Sequence, residues 1–507
     1  MVHPRVASTE TQPHDGEGEL LPTRPLRATE IERFDDEADV VIVGFGGAGA
    51  SAAIEACGAG ARVLVLERGS EGGGSTAQSG GILYFGGGTP IQRACGFDDS
   101  VEEMFKYVLA ASGPNPDEAK VRAFCEGSLE HFAWFLEQGV EFKPSFYAKK
   151  TTEPPTDDCL LYSGNEDCWP FNLVARPAPR GHKPKTTGSA GGLIMKRLMA
   201  RATALGARVM ENARAQTLVV DADGRVVGVA ARVLGERRVV RAHKGVILTA
   251  GGFIMNPRMV AQHAPKLLAV NIQIGNPGDD GAGILMGVGA GGGTICMGEG
   301  FVSMPFYPPS KLVNGIIVNE QGQRFVNEDA YHGRTGDFIL RQSGGRAYLI
   351  VDNNSYGRPI SGMQLKAAEE TVAELEGALG LPAGSLTHTV DFYNRHAAAG
   401  ADPLFHKKRD YLAPLSEPPF AAIDLSIDKA VVPGFTMGGL DTLPTGEVVS
   451  AAGTVVKGLY AAGRTTAGIP RSAGGYSSGL SIGCATFFGR RAGRAAAATT
   501  TERHGEG

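Results

Sequence analysis

The chain has 507 residues, long enough for two or three domains around a large hydrophobic core. Hydrophobic residues make up 42% of it and charged residues 20%, which is typical of a globular protein. The net charge of −5 excludes the strongly basic character that nucleic-acid binding needs, so no nucleic-acid partner is expected.

Cysteine usage and hydropathy favour a cytoplasmic protein. The seven cysteines are odd in number and no pair has CxxC spacing, so neither a disulfide framework nor a metal site is predicted. Residues 1–19 are polar and lack the apolar core of a signal peptide. No run of about 18 apolar residues occurs, and we therefore expect no transmembrane segment.

The first ordered element predicted in the chain is a βαβ unit. Apolar strands are predicted over residues 39–43 and 62–66, with a helix of small residues between them. The turn after the first strand reads GFGGAG (44–49), which matches GxGxxG between a strand and a helix. Glu67 follows the second strand, where a carboxylate can bind a ribose hydroxyl. This combination predicts a dinucleotide whose pyrophosphate lies at the helix N-terminus.

The three motif glycines have separate physical roles. Gly44 permits the tight turn, Gly46 lets the backbone approach a pyrophosphate, and Gly49 lets the helix pack closely on the strand. A second GxGxxG match at 287–292 follows DDGAGILM, which has the pattern of a helix. We interpret that match as a helix end and loop, so a single dinucleotide site is expected.

The remainder of the chain predicts a discontinuous domain that carries an insertion. Helical patterns fill residues 100–140, and short strands follow over 207–250. From 295 to 428 the chain has more proline and aromatic residues and few long apolar runs. We expect an α/β (α+β) fold with a Rossmann-like domain and an inserted substrate domain. The predicted units are a disordered arm (1–36), the dinucleotide domain (37–294 and 429–497), the inserted catalytic domain (295–428) and a disordered tail (498–507).

Three segments together resemble the FAD-binding pattern of the fumarate reductase and succinate dehydrogenase-like flavoprotein superfamily. They are ERGSEGGGSTAQSGG (67–81), VILTAGG (246–252) and GLYAAGR (458–464). The resemblance implies FAD as the cofactor. Since the single dinucleotide turn is then taken, the electron acceptor is expected to be a group other than NAD. Arg464 departs from the pattern, because the superfamily usually has an acidic residue there, near the ribityl chain. The cofactor contacts implied by the resemblance are Gly44, Gly46, Gly47, Ala48, Gly49, Glu67, Arg68, Ser75, Thr76, Gly80, Gly81, Ala215, Ala250, Gly251, Gly463, Arg464, Gly479, Leu480 and Ser481.

The carboxylate clamp of fumarate reductases is not predicted. Those enzymes carry a His-Gly-Ala-Asn-Arg stretch whose arginine binds the substrate carboxylate just before the last glycine turn. Here the corresponding stretch is AGIPRSAGGYSSG (467–479), with Ser472 at the arginine position and Arg471 one residue away. The substrate therefore need not be an anion.

Four segments closely resemble the actinobacterial 3-ketosteroid Δ4-(5α)-dehydrogenases. They are GGTPIQRACGFDDS (87–100), NEDAYHGR (327–334), FTMGGL (435–440) and AGGYSSGLSIGCATFFGRRAG (473–493). The resemblance implies a 3-ketosteroid substrate that is desaturated to a 4-ene-3-one. It also implies that Tyr476 donates a hydrogen bond to the 3-keto oxygen, while Ser478 takes the C4 proton. Tyr331 would act as a relay, and hydride would leave C5 for FAD N5.

The implied roles agree with elementary chemistry, but other interpretations exist. A proton beside a ketone becomes acidic only when the developing enolate oxygen is stabilised, and a serine acts as a base only if its own proton passes to a partner. A tyrosine among glycines is often a packing anchor, and a serine near a helix start is often the N-cap. His332 could be the relay in place of Tyr331.

The sequence leaves rival functions open. A 3-ketosteroid Δ1-dehydrogenase and a fumarate reductase-like enone reductase would share the fold. A flavin-binding redox carrier is the non-enzymatic alternative.

Overall fold

A computed structural model describes residues 23–359 and 362–500 of the chain. In chain order, the strands are β1 (Leu26–Arg27), β2 (Asp36–Val43), β3 (Val63–Leu66), β4 (Leu83–Tyr84), β5 (Leu160–Leu161), β6 (Gly181–His182), β7 (Arg208–Met210), β8 (Ala213–Val220), β9 (Val226–Val233), β10 (Glu236–Leu248), β11 (Ile272–Gln273), β12 (Thr294–Ile295), β13 (Gly300–Val302), β14 (Ile316–Val318), β15 (Tyr348–Val351), β16 (Leu365–Glu369), β17 (Phe420–Asp424), β18 (Pro433–Thr436), β19 (Gly439–Leu440), β20 (Glu447–Val449) and β21 (Val455–Ala461). The α-helices are α1 (Gly47–Gly58), α2 (Gly74–Ala77), α3 (Pro90–Ala94), α4 (Val101–Ala111), α5 (Glu118–Glu126), α6 (Ser128–Glu137), α7 (Gly191–Ala204), α8 (Pro257–His263), α9 (Ala282–Gly289), α10 (His332–Leu340), α11 (Val372–Leu379), α12 (Ser385–Ala398) and α13 (Leu480–Ala498).

The predicted βαβ unit is present, with β2 and β3 paired in parallel through α1. Their apolar residues are buried, as expected for a parallel sheet covered on both faces. Helix α13 packs tightly on α1, because a Cβ at Gly489 or Gly493 would overlap the carbonyl oxygens of Ala48 and Ala52. This contact places the middle of α13 beside the beginning of α1, and the two helices run in the same direction.

The main sheet has the strand order β1-β8-β9-β10-β2-β3-β7, with β21 also paired to β10 and β20 to β21. The long strand β10 connects the antiparallel and the parallel parts of this sheet. It pairs antiparallel with β9 and parallel with β2 and β21. The carboxyl ends of β2, β3, β10 and β21 therefore meet at one edge, where open α/β sheets bind their ligands. The predicted Rossmann-like α/β fold class is confirmed.

The predicted insertion contains an antiparallel sheet of its own, in the order β14-β15-β17-β16. Leu375 of α11 and Leu386 of α12 pack in one hydrophobic cluster with Ile316 and Ile350 of this sheet. A second, larger cluster contains residues of both regions, such as Val41 of β2 and Leu349 of β15. The two regions therefore share a continuous core. The domain boundaries themselves stay a prediction.

A buried ion network forms around two charged residues of the NEQGQRFVNEDAYHGR stretch (319–334). Arg324 donates to Glu328 at 2.8 and 2.9 Å and to Asp402 at 2.9 and 3.0 Å. Lys407 Nζ lies 3.4 Å from a Glu328 oxygen. None of these four residues lines the cavity described below. This part of the stretch therefore holds the inserted region together.

The predicted N-terminal arm is partly wrong. Residues 1–22 lie outside the described residues, but Leu26 and Arg27 form β1, which pairs in parallel with β8. Ile31 and Phe34 pack on a small apolar cluster of the main sheet that includes Val219. This apolar contact orders the end of the arm. Of the predicted tail, residues 501–507 lie outside the described residues, and α13 ends at Ala498.

The glycine-rich turn before α13 has a specific capping geometry. The N-cap is Gly479, with φ of +99° and no side-chain cap bond. That left-handed conformation favours glycine. Ser478 therefore precedes the cap, and the alternative interpretation of Ser478 as the N-cap is wrong.

The second GxGxxG match coincides with the end of α9 at Gly289, which confirms that it is a helix end.

Two further properties of the described residues concern membrane-spanning helices and the state of the cysteines. Within 23–359 and 362–500, no helix combines the length and the apolar character needed to cross a membrane. All seven cysteines are free thiols.

Candidate functional site

A cavity of about 750 Å³ lies at the sheet edge where the parallel strands end. Its lining includes residues directly after β2, β3 and β10 and the first turns of α1 and α13. Residues of the predicted insertion, among them Phe301, Ser303 and Tyr331, complete the lining together with Phe435. The cavity therefore lies between the dinucleotide region and the inserted region.

The glycine turn after β2 brings the N-terminus of α1 to this cavity. Gly44 has φ of +99°, and a Cβ there would lie 2.6 Å from the carbonyl oxygen of Thr249. A Cβ at Gly49 would overlap the carbonyl oxygen of Gly44, so only glycine lets α1 approach the turn this closely. The first amide groups of α1 have no acceptor within the helix, and they are available to an anion.

Glu67 is held in one orientation at the end of β3. One carboxylate oxygen accepts from the Phe45 amide at 2.8 Å, and the other accepts from the Gly69 amide at 2.7 Å. Each oxygen keeps a free lone pair. Glu67 can therefore accept hydrogen bonds from a ribose.

Most of the residues predicted to contact the cofactor line the cavity. They are Gly44, Gly46, Gly47, Ala48, Glu67, Arg68, Ser75, Thr76, Gly80, Gly81, Ala215, Ala250, Gly251, Gly463, Arg464, Gly479 and Ser481. Gly49 and Leu480 do not belong to the lining: Gly49 packs α1 on the turn, and Leu480 is buried in a hydrophobic cluster. These two residues position the lining without forming it.

Sequence reasoning missed the partner of Arg464. The Arg464 guanidinium donates to Asp279 at 2.6 Å, and the same carboxylate oxygen accepts from Ser75 at 2.8 Å. Both Arg464 and Asp279 line the cavity. A carboxylate from a different segment of the chain, Asp279, thus lies beside position 464, where the superfamily pattern expects an acidic residue. The glycine- and aspartate-rich turn GNPGDDG (275–281) was the available signal.

Aromatic residues surround Tyr476 at the predicted substrate site. Its ring centroid lies 4.6 Å from that of Phe301 and 5.5 Å from that of Phe435. The Tyr476 hydroxyl donates to Ser481 Oγ at 3.0 Å, in the first turn of α13. Burial raises the pKa of Tyr476, so the hydroxyl keeps its proton at neutral pH.

The structure brings Tyr331, Ser478 and Tyr476 together on the cavity lining. The ring centroids of Tyr331 and Tyr476 lie 6.3 Å apart. Burial raises the pKa of Tyr331 well above its ordinary value, and a hydrogen bond with the Ser478 side chain acts against that effect. Ser478 thus lies close to the phenol of Tyr331 on the cavity lining.

His332 also lines the cavity, but its hydrogen bonds favour a supporting role. Its Nδ1 lies 2.6 Å from Ser303 Oγ, and its ring centroid lies 3.9 Å from that of Tyr331. Burial and the charge of Lys150 lower the pKa of His332 to about 3. The neutral imidazole is therefore a poor proton acceptor at pH 7.

Residues 163–166, a segment without a recognisable sequence motif, form hydrogen bonds with the backbones of Ser478 and Tyr331. The Ser478 amide donates to the Ser163 carbonyl at 2.7 Å, and Ser163 Oγ donates to the Ser478 carbonyl at 2.9 Å. The Tyr331 amide donates to Asn165 Oδ1 at 2.8 Å. The segment thus fixes the backbones of Ser478 and Tyr331 relative to each other.

The lining fits a dinucleotide. A Cβ on Gly46 would have only the Gly73 oxygen nearby, at 3.9 Å, so a larger residue would extend into the cavity. The α1 amide groups suit a pyrophosphate and Glu67 suits a ribose. Fold and lining together define a dinucleotide-binding protein of the flavoprotein type, with polar and aromatic groups at one part of its cavity.

Comparison with known proteins agrees with this class. The sequence matches the FAD binding domain family over residues 39–480. It is 31% identical to the 3-oxo-5-alpha-steroid 4-dehydrogenase of Comamonas testosteroni, over 86% of this chain and 94% of that one. The crystal structure of 3-ketosteroid-delta4-(5alpha)-dehydrogenase from Rhodococcus jostii RHA1, in complex with 4-androstene-3,17-dione, is 46% identical. It has a TM-score of 0.89 and covers 94% of this chain and 99% of its own. The 3-ketosteroid delta1-dehydrogenase of Sterolibacterium denitrificans is 20% identical with a TM-score of 0.70, over 92% and 100% of the two chains, and shows the fold alone.

The chain belongs to the FAD binding domain family and, within it, to the 3-ketosteroid Δ4-(5α)-dehydrogenase family. It is a flavoprotein oxidoreductase, and its cofactor is FAD, as the sequence predicted.

The first prediction concerns the Arg464–Asp279 pair. Asp279→Asn leaves the Arg464 guanidinium, whose side chain is 17% exposed, without its counter-ion. We expect the Kd for FAD to rise about tenfold, which corresponds to about 1.4 kcal/mol. Fluorescence titration of the apoprotein with FAD measures this change. The exposed Asp428→Asn variant is the control, and an unchanged FAD affinity in Asp279→Asn would contradict the prediction.

Proposed function

We propose that the protein desaturates 3-keto-5α-steroids to 4-ene-3-ones. One observation carries the proposal: Tyr476, Ser478 and Tyr331 meet on the lining of the same cavity as the dinucleotide turn. The 46% identity with a relative crystallised with 4-androstene-3,17-dione supports a steroid substrate. The apolar side chains of Phe301, Phe435 and Pro305 in the lining suit a rigid hydrocarbon ring system.

Tyr476 stabilises the enolate in this proposal. Its phenol remains protonated, and it can turn its hydrogen bond from Ser481 to the 3-keto oxygen of the substrate. Negative charge on that oxygen develops during removal of the C4 proton, and a preorganised donor is most effective at this point. The adjacent start of α13 adds the favourable end of a helix dipole.

Ser478 and Tyr331 move the proton. Ser478 Oγ takes the C4 proton while its own hydroxyl proton passes to the oxygen of Tyr331, which releases its phenolic proton to a further acceptor. Tyr331 is favoured over His332 as the relay because its phenol interacts with the Ser478 side chain, whereas His332 Nδ1 lies 2.6 Å from Ser303 Oγ. Bound FAD would supply the acceptor for the hydride that leaves C5. The residues of the glycine turn, Glu67 and the Arg464–Asp279 pair would hold the FAD.

The external electron acceptor is unidentified, and the free thiols support a reducing, cytoplasmic environment.

The rival functions receive less support. A dicarboxylate clamp would need an arginine in the last glycine turn. Arg471 is instead paired with Asp117 at 3.1 Å and does not line the cavity. A redox carrier would not require the contact of Ser478 with Tyr331. A Δ1-dehydrogenase remains the nearest alternative, and it differs in the substrate that it oxidises.

Two steroids separate these functions. The holoenzyme is mixed anaerobically with 5α-androstane-3,17-dione and, separately, with 4-androstene-3,17-dione, and the bleaching of the yellow flavin is followed. A Δ4-dehydrogenase bleaches with the first steroid only, and mass spectrometry should identify 4-androstene-3,17-dione as the product. Turnover should also occur with a phenazine dye and not with NAD.

Three other outcomes would overturn the proposal. Bleaching with 4-androstene-3,17-dione would indicate Δ1 activity. Bleaching with neither steroid would favour a carrier or a different substrate. Oxidation of the reduced enzyme by fumarate would indicate a reductase.

A further inference from the structure

A cluster of buried ionisable groups lies behind the proposed site and takes no part in the mechanism described so far. Glu166, Tyr84, Tyr107 and Arg180 are each at most 1% exposed. The rings of Tyr84 and Tyr107 are stacked with centroids 6.5 Å apart, and the Arg180 guanidinium lies 5.4 Å from the Tyr107 ring. We call these four residues, with Asn165, the Glu166 cluster.

Hydrogen bonds tie the Glu166 cluster to the turn that carries Ser478. The Tyr107 hydroxyl lies 2.8 Å from Ser477 Oγ and accepts from the Asn165 amide at 2.9 Å. One Glu166 oxygen accepts from the Gly164 amide at 2.8 Å. Since Asn165 also binds the Tyr331 amide, the cluster is in direct contact with the backbone of the proposed relay.

The Glu166 cluster contains four buried polar atoms with no hydrogen-bond partner among the residues that the structure describes. They are Glu166 Oε1, Asn165 Nδ2, Tyr84 OH and Arg180 Nη1. Buried polar groups are normally satisfied by protein or by ordered water, and such water needs two to four polar partners. Ordered water that satisfied these donors and this acceptor would link them into a path for protons.

The proposed relay also requires a final acceptor. Burial raises the pKa of Tyr331 well above its ordinary value, so a Tyr331 phenolate cannot be the end of the path. Burial likewise raises the pKa of Glu166, to about 7, although the charge of Arg180 acts in the opposite direction. At that value the carboxyl can both accept and release a proton near neutral pH.

Other charged groups surround Glu166. Asp167 raises the pKa of Glu166 further, and the Glu166 charge in turn raises the pKa of Tyr84, Tyr107 and Tyr162. Arg180 also holds Asp99 in a fully buried ion pair at 2.7 Å. Of these groups, we assign the titration near neutral pH to Glu166.

We propose that Glu166 is the end of the proton relay that begins at Ser478. This proposal rests on the proposed function. The C4–H bond breaks and its proton goes to Ser478, the Ser478 hydroxyl proton goes to Tyr331, and the Tyr331 proton passes through bound water to the Glu166 carboxylate. The C5–H bond breaks with its electron pair, which leaves as hydride. Glu166 does not line the cavity and acts only through Tyr331, so it is a positioning residue for proton transfer.

The pH dependence of a single turnover tests this proposal. The wild-type holoenzyme is mixed anaerobically with 5α-androstane-3,17-dione between pH 5 and 9, and flavin bleaching is timed. The rate should rise with pH through about 7, because only the ionised carboxyl accepts a proton. Glu166→Gln keeps the size and one acceptor oxygen but cannot titrate. The variant should lose this rise of the rate with pH, which is the limb of the pH profile that we assign to Glu166. Its rate at high pH should fall by roughly 10²-fold, the low end for a positioned proton acceptor.

Glu376→Gln is the matched control, because Glu376 is also a buried glutamate that accepts backbone amides, at Gly384 and Leu386. It lies outside the cavity and should keep the limb. A wild-type profile without the limb, or a limb that persists in Glu166→Gln, overturns the proposal. If the wild type does not bleach at all, the proposed function has failed instead.

Infrared difference spectroscopy of the wild type makes the test independent of the folding of Glu166→Gln. When the turnover starts at pH 8, a carboxylic acid C=O band should form together with the bleaching and shift in deuterated solvent. Turnover without such a band overturns the proposal.

Discussion

Replacing Ser478 with alanine is expected to slow flavin bleaching by 3-keto-5α-steroid by about 10²–10⁴-fold, the usual contribution of a positioned general base. The variant removes the hydroxyl that contacts Tyr331 and leaves the backbone hydrogen bonds with Ser163 in place. Since the Ser478 side chain does not cap α13, helix stability should not change. Anaerobic stopped-flow measurement of bleaching gives the rate, and the visible spectrum reports the retained FAD.

Ser472→Ala is a suitable control for Ser478→Ala. Ser472 belongs to the same turn but does not line the cavity. Its substitution should leave the bleaching rate near that of the wild type. Equal rates for wild type, Ser472→Ala and Ser478→Ala would mean that another group removes the C4 proton.

Local patterns predicted the dinucleotide part of the site well. The strand, glycine turn and helix of residues 39–58 are adjacent in the chain. Gly44 has a left-handed φ of +99°, and Gly49 is required by its contact with Gly44 in the same turn. The same holds for the turn before α13, where position 479 needs a left-handed conformation. Sequence reasoning works here because the physical cause is local.

Long-range partners could not be predicted. Asp279 is 185 residues from Arg464 and 204 from Ser75. The turn GNPGDDG (275–281) marks Asp279 as a candidate, but no local pattern pairs it with Arg464 or Ser75. Asn165 is 166 residues from Tyr331, in a segment without a recognisable motif. The prediction of a disordered arm was wrong near Leu26 for the same reason, because Leu26 pairs with a strand about 190 residues further along the chain.

Tyr476→Phe is expected to lower kcat by about 10²–10³-fold, which is typical of the loss of one oxyanion donor. The ring contacts with Phe301 and Phe435 remain in this variant, and only the hydroxyl at the start of α13 is lost. Packing should therefore be retained and the protein should stay yellow. Steady-state kinetics with a phenazine dye measures kcat. Phe392→Leu, a change at an exposed aromatic outside the lining, is the control.

The double variant Tyr476→Phe/Ser478→Ala tests whether the two hydroxyls act in one step. If both assist removal of the same C4 proton, the combined loss should be smaller than the product of the single losses, as for residues that act as a unit. A C4-deuterated substrate provides the second reading. Deuterium should appear in the solvent and not on the reduced flavin, because C4 loses a proton while C5 loses hydride. Deuterium on the flavin would reverse these assignments. Wild-type bleaching in both single variants would make Tyr476 and Ser478 packing residues, and the groups that act on the steroid would have to lie elsewhere on the lining.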